Sequence, residues 1–505
     1  MKNKYFFLFL LWFPFLLNAQ TEYSTGLVFD DETYETIELK VPLTRGDYAA
    51  LATSASLKKY CPTIGSQGSY GTCVGWSSGY AARTILWAKA NNITAMSEIN
   101  NNTFSPYFVY RNISSDYNCQ DGTKLDDAMY ILKYKGNILH KNFSSPCPSS
   151  IPSRMFDDAK SNTIENYARV FGLYDDNDYK IKSVKKSLSE GNPVVIGMMV
   201  GKSFMSCNGD LYTPNPILDA QYGGGGHAMC VIAYDDTKYG GAVQIMNSWG
   251  TSWGNQGFVW VKYNDFATYT KYAFELIDNI APKPVVVVTP PTPKPTPSPT
   301  PKPIPPAPKP IQDNIDFAGD IRFVMADGTE MKASITEVRG LFLPDEDKPT
   351  PKNNLNNFKP DPNLTTGKFI AYRMQRAYSE GTKFQVYLRN NEPAYVYAIA
   401  MDGTNKAVTL FPHKKGISPA LNYKNNEVAL PSEQQHIQMD NVRGTDIFCL
   451  LYSKKPLDIE NINQNLEKES GTFFQRLYKV MKNDLVPRDY LRYYNQKMRF
   501  EIKSV

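Results

Sequence analysis

The chain has 505 residues and a net charge of +5, and 42% of its residues are hydrophobic. This length exceeds what one hydrophobic core usually supports, so we expect at least two domains. The charge is small and no Lys/Arg cluster is interleaved with aromatic residues, which argues against nucleic acid as a partner.

The N-terminal residues indicate export. Lys2 and Lys4 precede an apolar run over residues 5–17. This pattern is typical of a secretory signal peptide, which we assign to residues 1–19. The run is short for a bilayer span and Pro14 interrupts it, so we expect cleavage rather than stable membrane insertion. The expected location is the periplasm or the extracellular space.

Helical patterns come first along the chain. Aromatic residues at helical spacing predict a helix over residues 73–90. A second helix is predicted with Thr123 as N-cap, Asp126 three residues later and Gly136 as its stop. A third is predicted over residues 181–189. Four strands are predicted after these helices, at residues 194–200, 228–234, 243–246 and 258–261.

A proline-rich segment divides the chain. Residues 282–311 contain the run TPKPTPSPTPKPIPPAPKP, which predicts an extended, semi-rigid linker. We expect it to separate two independently folding parts, residues 61–281 and 312–505. The second part is predicted to be β-rich, with a tight turn at Asp402-Gly403 and a helix at residues 473–482. Its predicted strands are at residues 321–324, 384–388, 395–400, 408–411 and 447–452.

Cys73 is the candidate nucleophile. A thiol attacks carbonyl carbon only as the thiolate, so a reactive cysteine needs a pKa lowered by a helix N-terminus or an imidazole. Cys73 stands at the start of a predicted helix, after Gly68 and Gly71, which permit a close backbone approach.

The candidate base is His227. Only two of the four histidines, His140 and His227, lie in the first part of the chain. His227 follows four glycines and precedes a predicted strand, where an imidazole can reach a cleft. His140 lies in a loop after a helix and is predicted to be structural. Asn247, just beyond a strand end, offers an amide oxygen to orient the imidazole. The neighbouring tryptophans either shield that hydrogen bond or simply form a packed turn.

Three segments in order carry a resemblance: QGSYGTC ending at Cys73, GH ending at His227, and NSWG beginning at Asn247. Together they resemble the papain family of cysteine peptidases, over about residues 61–276. The resemblance implies that Cys73 is the nucleophile, His227 the general base and acid, and Asn247 its orienter. It implies that Gln67 donates its amide to the oxyanion.

The resemblance also implies the fold class and the activity. The expected fold is α+β: a two-lobed catalytic domain, with a helical lobe bearing Cys73 and a β-rich lobe bearing His227 and Asn247. A polyproline linker joins it to a β-rich domain with a C-terminal helix. The implied activity is hydrolysis of polypeptides through a thioester, with no cofactor and no metal. Gly122 and Trp249 are implied to contact substrate.

Two positions depart from the family pattern. Tyr70 and Val74 stand where the family usually has a cysteine and a tryptophan. The usual disulfide at that place is therefore absent, and substrate preference cannot be carried over. Neither position performs the chemistry. Only residues 20–60 precede the catalytic segment, so we expect a short arm packed on the domain rather than a classical inhibitory propeptide.

Seven cysteines in an exported protein leave at least one free thiol. Cys230 and Cys449 lie in apolar runs and are predicted to be small buried hydrophobic residues. The remaining candidates for disulfides, whose connectivity stays open, are Cys61, Cys119, Cys147 and Cys207.

The second part resembles an uncharacterised domain attached to various bacterial exported enzymes, which implies no chemistry. His413 and His436 have no carboxylate or cysteine neighbours at metal-ligand spacing and are predicted to be solvent-exposed. We expect a module that binds an unidentified partner or positions the enzyme.

Two alternatives to hydrolysis stay open. Altered cleft residues and the extra domain are compatible with a non-catalytic peptide-binding surface protein. The same thioester chemistry with an amine acceptor gives a transpeptidase.

Overall fold

The computed structural model describes residues 23–148, 150–278, 315–335, 371–401, 406–422, 424–442, 444–482, 484–486, 491–493 and 498–503. The expected signal peptide, the proline-rich segment and the Asp402-Gly403 turn lie outside the described residues. None of the helices in the described ranges is long and apolar enough to cross a membrane.

The first part combines helices with one mixed sheet. Its helices are α1 Asp31–Thr36, α2 Arg45–Ala49, α3 Cys73–Gly75, α4 Arg83–Ala90, α5 Met96–Asn101, α6 Pro106–Ile113, α7 Leu125–Tyr134, α8 Arg154–Lys160, α9 Asn177–Ser189, α10 Lys202–Met205, α11 Pro216–Tyr222 and α12 Tyr263–Tyr269. Its strands are β1 Ser54–Ser56, β2 Asn166–Arg169, β3 Val194–Gly201, β4 Leu211–Tyr212, β5 Gly224–Asp235, β6 Ala242–Met246, β7 Phe258–Lys262 and β8 Thr270–Ile277.

The sheet has the strand order β2-β8-β3-β5-β6-β7-β4, and β1 also pairs with β5. Its two longest central strands, β3 and β5, are almost wholly buried, because helices and loops cover both faces. The four predicted strands are all present. Sequence patterning missed β1, β2, β4 and β8.

The helix that begins at Cys73 runs as predicted to Ala90, although it changes winding. Residues Trp76–Ala82 form a π-helical segment between α3 and α4. Glycine at position 79 suits the packing there, because a Cβ would lie 2.9 Å from Val109 Cγ2. The helical lobe packs this continuous helix against α6 and α7.

The second predicted helix exists as α7, but its predicted cap is wrong. The N-cap position is Lys124, and its side chain makes no capping hydrogen bond. Thr123 instead donates its backbone N–H to the Gly26 carbonyl at 2.8 Å. The third predicted helix begins four residues earlier than expected, at Asn177, because the side chain of Asp176 caps it.

The second part is β-rich. Its strands are β9 Ile315–Met325, β10 Ala333–Ile335, β11 Tyr372–Met374, β12 Lys383–Asn390, β13 Ala394–Met401, β14 Ala407–Phe411, β15 Ala420–Leu421, β16 Asn426–Leu430, β17 Ile437–Gln438, β18 Ile447–Ser453, β19 Leu491–Tyr493 and β20 Met498–Lys503. Its helices are α13 Ile459–Lys468 and α14 Phe473–Met481. One sheet has the order β16-β12-β9-β20-β19 and another the order β14-β13-β15, with β18 also on β13. The α+β class is confirmed. The predicted C-terminal helix is present as α14, but strands β19 and β20 follow it.

The two parts pack on each other. Ala168 and Ile277, from the sheet of the first part, share a buried cluster with Tyr395 and Tyr397 of the second. Leu39 lies between them, in bridges to Arg169 on one side and Ile417 on the other. The two parts are therefore in contact through buried residues, and their independent folding stays a prediction.

Candidate active site

Cys73 lies at the N-terminus of α3 and is fully buried, with 0% exposure. Its Sγ accepts a hydrogen bond from the backbone N–H of Ala228 at 3.5 Å. Gly71, two residues earlier, donates its N–H to the Cys119 carbonyl at 2.7 Å. A Cβ at Gly71 would lie 2.7 Å from the Gln120 carbonyl oxygen, so the chain reaches the helix only through a glycine.

His227 lies on β5 opposite Met198 of β3 and is also fully buried. Its Nε2 is 2.8 Å from Asn247 Oδ1. The same oxygen accepts the backbone N–H of Ser248 at 2.8 Å, and a backbone N–H can only donate. The amide orientation is thereby fixed, so Nε2 carries the hydrogen and Nδ1 is the free basic atom. Nδ1 has no hydrogen-bond partner among the described residues.

Trp249 covers the hydrogen bond between His227 and Asn247. Its ring stacks on the His227 ring with centroids 4.4 Å apart and an interplanar angle of 21°. Trp253 packs edge-on against Trp249 at 5.4 Å. The two tryptophans therefore exclude water from the imidazole. Tryptophans that only packed a turn away from the site would not have this effect.

Gln67 has its side-chain amide fixed at both ends. Its Oε1 accepts from Ser248 Oγ at 2.7 Å, so its NH₂ group points the other way. That NH₂ donates to the Tyr70 carbonyl at 2.8 Å and to the Ser24 carbonyl at 3.1 Å. Sequence reasoning quoted Ser248 within the NSWG segment but gave it no role. The signal in the sequence that could have indicated this role is the hydroxyl of Ser248, next to the asparagine that orients His227.

Comparison with known proteins agrees with this geometry. The family model described as papain family cysteine protease matches residues 53–274. An uncharacterized peptidase C1-like protein of Acanthamoeba polyphaga mimivirus is 27% identical over 241 residues, which are 43% of this chain and 73% of that protein. Residues 53–274 of this chain are thus similar to the papain family of cysteine proteases. The resemblance drawn from the three segments is confirmed, and the protein is a cysteine-type peptidase.

Two solved structures are among those to which this chain is similar. Xylellain, a cysteine protease from Xylella fastidiosa, is 21% identical, with 51% of this chain and 97% of that chain covered and a TM-score of 0.39. Digestive procathepsin L 3 of the Tenebrio molitor larval midgut is 16% identical, with 51% and 77% covered and a TM-score of 0.38. Outside the papain-family domain, residues 377–456 match a domain of unknown function, DUF4384.

The residues that the resemblance linked to substrate lie against the N-terminal arm. A Cβ at Gly122 would lie 3.0 Å from the Gly26 carbonyl oxygen. Trp249 donates its indole N–H to the Ser24 carbonyl at 2.8 Å, and Tyr23 stacks on its ring at 4.9 Å. The arm packs on the papain-family domain as expected, and it also enters the cleft.

Burial sets the protonation states in this closed cleft. It raises the pKa of the Cys73 thiol to about 12, against weaker stabilisation by backbone N–H groups. It lowers the pKa of His227 to about 4, although the hydrogen bond to Asn247 opposes this. We expected a lowered cysteine pKa. In the covered site both groups are neutral, because desolvation outweighs the helix N-terminus.

His140, which is predicted to be structural, lies among aromatic rings. Its ring is within 6.0 Å of the rings of Trp76, Tyr80 and Tyr107, centroid to centroid. Its backbone N–H donates to the Thr103 carbonyl at 2.7 Å. Of the two histidines in the second part, His436 is exposed as predicted, whereas His413 is partly buried.

One disulfide is present among the cysteines, Cys119–Cys147, with Cα atoms 5.6 Å apart. Cys61 is buried and Cys207 partly buried, and both are free thiols. Cys230 is buried as predicted, while Cys449 is only partly buried. Within the described ranges, no group of three or more His, Cys, Asp or Glu side chains is placed to hold a metal ion.

Proposed function

We propose that this protein hydrolyses peptide bonds through a thioester acyl-enzyme, with Cys73 as nucleophile and His227 as general base and acid. The observation that supports the proposal is the 2.8 Å hydrogen bond from His227 Nε2 to Asn247 Oδ1. It leaves Nδ1 free on a ring whose following residue, Ala228, contacts the Cys73 sulfur. A basic nitrogen and a thiol in this relation make a nucleophile and its base.

The proposed reaction follows from these positions. Cys73 gives its proton to His227 Nδ1 while its sulfur bonds to the substrate carbonyl carbon. The carbonyl electron pair moves to oxygen, toward which the NH₂ group of Gln67 donates. Collapse breaks the C–N bond, and the amine leaves with the proton from His227. Water, deprotonated by His227, then attacks the thioester, releases the acid and restores the thiol.

The test is intact mass after incubation with a peptide epoxide or vinyl sulfone. It compares two chains, each as native sequence and as Cys73→Ala. One begins at Gln20. The other begins at Phe29 and therefore lacks Ser24, which contacts Gln67 and Trp249. We expect one adduct on a native chain and none on its Cys73→Ala counterpart, together with peptide turnover by the native chain. Turnover by Cys73→Ala, or adducts on both, would overturn the assignment.

We also propose that the protein is exported. The basic and apolar pattern of residues 1–19 supports this, as does the Cys119–Cys147 disulfide, since disulfides persist in oxidising compartments. N-terminal sequencing of the protein recovered from outside the cytoplasm tests it. A sequence starting near Gln20 is expected, whereas an intact N-terminus retained in the cytoplasm would contradict export.

A further inference from the structure

The turn that leads to Cys73 is tied to a second loop of the helical lobe. We call residues 67–72 the nucleophile turn and residues 116–122 the Cys119 loop. Gly71 donates its backbone N–H to the Cys119 carbonyl at 2.7 Å. A Cβ at Gly71 would lie 2.7 Å from the Gln120 carbonyl oxygen, so the two backbones are in close contact. A displacement of the Cys119 loop would therefore reach the nucleophile turn.

The Cys119 loop takes its shape from its own first residue. Three of its backbone N–H groups donate to the Asp116 carboxylate at 2.6–3.0 Å, those of Asn118, Gln120 and Asp121. These hydrogen bonds join the loop only to itself, so they fix its shape but not its place. At its two ends, Arg111 donates to the Asp116 carbonyl at 2.7 Å and Tyr110 donates to the Asp121 carbonyl at 2.9 Å.

Between these ends, a disulfide sets the place of the loop. Cys119 is fully buried and bonded to Cys147, 28 residues later. The segment that contains Cys147 is anchored through Phe143, whose carbonyl accepts a hydrogen bond from Ser105 Oγ at 2.6 Å. The Phe143 ring packs edge-on against Phe108 of α6 at 6.3 Å. The disulfide therefore joins the Cys119 loop to the core of the helical lobe.

Both cysteines of the disulfide hold a backbone conformation that is rare for residues other than glycine. The φ angle is +56° at Cys119 and +51° at Cys147. Such conformations persist only where the surrounding structure fixes them. Without the disulfide, Cys119 could relax to an ordinary φ, and its carbonyl would then turn away from Gly71.

The nucleophile turn has no disulfide of its own. The papain family usually has a cysteine where Tyr70 stands. In this chain the cysteines that flank the turn in sequence, Cys61 and Cys73, are both free thiols. The turn is connected to a disulfide only indirectly, through the hydrogen bond from Gly71 to the Cys119 carbonyl.

We propose that Cys119 and Cys147 are positioning residues. Their disulfide holds the Cys119 carbonyl against Gly71 and thereby keeps Gln67 and Cys73 in the geometry that the reaction needs. The inference rests on the proposed function for its consequence, a higher kcat. Its physical content is the ordering of the nucleophile turn by a distant disulfide, which can be measured without turnover.

The test compares the native chain with Cys147→Ser, which removes the disulfide at the end remote from the catalytic residues. Hydrogen exchange of residues 67–73, followed by mass spectrometry, should quicken at least about tenfold, because Gly71 loses a fixed acceptor. The kcat for a peptide substrate should fall about tenfold, since misplaced reacting groups lose rate steeply. The KM should stay within about threefold, because Tyr110 still holds the Asp121 end of the loop.

Two control variants separate positioning from the loss of a cysteine or of stability. Cys207→Ser removes a thiol of the same domain that forms no disulfide. Leu188→Ala removes packing from a buried residue of α9 and leaves both loops intact. Both variants should show native exchange at residues 67–73 and keep kcat within about twofold of the native value.

Reduction of the native chain guards against a Cys147→Ser chain that fails to fold. Dithiothreitol, a dithiol, converts the disulfide to two thiols and itself becomes a cyclic disulfide, while Cys73 stays a thiol. Turnover should fall in step with the appearance of two further thiols, which are counted by mass after alkylation.

The outcomes separate this inference from the proposed function. Unchanged exchange and unchanged kcat after loss of the disulfide, by substitution or by reduction, overturn the inference. Faster exchange with unchanged kcat also overturns it, since the turn would then not need to be held. Faster exchange in a protein whose native chain hydrolyses no peptide supports the link between disulfide and turn, and overturns the proposed function.

Discussion

Two regions of the first domain place a histidine among aromatic rings, and only one of them has the parts of a catalytic centre. His227 stacks on Trp249, and His140 lies among Trp76, Tyr80 and Tyr107. Both rings have an Nδ1 with no hydrogen-bond partner among the described residues. Burial lowers the pKa of both imidazoles.

The difference lies in what holds and faces each ring. His227 has its Nε2 fixed by Asn247, and its neighbour Ala228 contacts the sulfur of Cys73. For His140, no hydrogen bond of either ring nitrogen is described, and its surroundings are aromatic. A buried histidine with a shifted pKa is therefore not enough to indicate catalysis. An orienting acceptor and an adjacent nucleophile are needed as well.

The largest expected effect is the loss of the base. His227→Ala removes the group that accepts the proton of Cys73, so kcat/KM for a peptide substrate should fall by at least about 10⁴-fold. His140→Ala is the matched control and should stay within about tenfold of the native chain, because only packing is changed. Similar losses in both variants would erase the distinction between the two regions.

Acid should lower the stability of the fold through His227. Its pKa is about 4 in the folded protein and 6.5 is the ordinary value. The unfolded chain therefore binds a proton that the folded chain does not, and stability present above pH 6.5 is lost as pH falls toward 4. The loss from this group is about 3 kcal/mol.

Urea unfolding at pH 7 and pH 4.5 measures this effect in the native chain and in His227→Phe, which has no titrating ring. The variant should lose clearly less stability between the two pH values. His140, whose pKa is also lowered, adds a change of the same sign that remains in the variant. Identical losses in the two proteins would show that His227 is not the responsible group.

Removal of the orienting acceptor should cost less than removal of the base. Asn247→Ala frees the His227 ring to rotate, and we expect kcat to fall by up to about 10²-fold, with KM little changed. Ser248→Ala should instead loosen the Gln67 side chain, because its Oε1 loses the 2.7 Å hydrogen bond from Ser248 Oγ. If kcat were unaltered in Asn247→Ala, the hydrogen bond to Asn247 would not distinguish His227 from His140.

The smallest expected effect is His140→Phe. Phenylalanine keeps an aromatic ring among Trp76, Tyr80 and Tyr107, so unfolding free energy should change by less than about 1.5 kcal/mol. Activity should remain within about twofold, as for most substitutions away from the chemistry. A large loss of activity at unchanged stability would give this histidine a catalytic task.

The elements that the sequence predicted correctly share a signal that lies within a few consecutive residues. The helix starting at Cys73 and the strand beginning near His227 each follow glycines and continue with a regular apolar pattern. The sequence was enough to select the four proposed catalytic residues because each lies in one of the three family segments. They are Gln67, Cys73, His227 and Asn247. Their roles stay predictions until the variants are measured.

What sequence missed depends on contacts between distant segments. Thr123 reads as a helix cap, yet its backbone pairs with Gly26, nearly a hundred residues earlier. The pairing of Cys119 with Cys147 and the role of Ser248 are likewise set by three-dimensional proximity. Nothing in residues 23–28 themselves indicates that they lie in the cleft. Tertiary contacts override local propensity at each of these places.

The bridge at Leu39 affects how this protein can be divided for expression. Its N–H donates to the Gly416 carbonyl, and its own carbonyl accepts from Ser418, so the arm serves as an edge for the second domain. A chain stopped before the proline-rich segment would leave that edge open beside the apolar surface of Ala168 and Ile277. Open edges next to apolar surface recruit other copies. A peptidase domain prepared alone should therefore self-associate at high concentration.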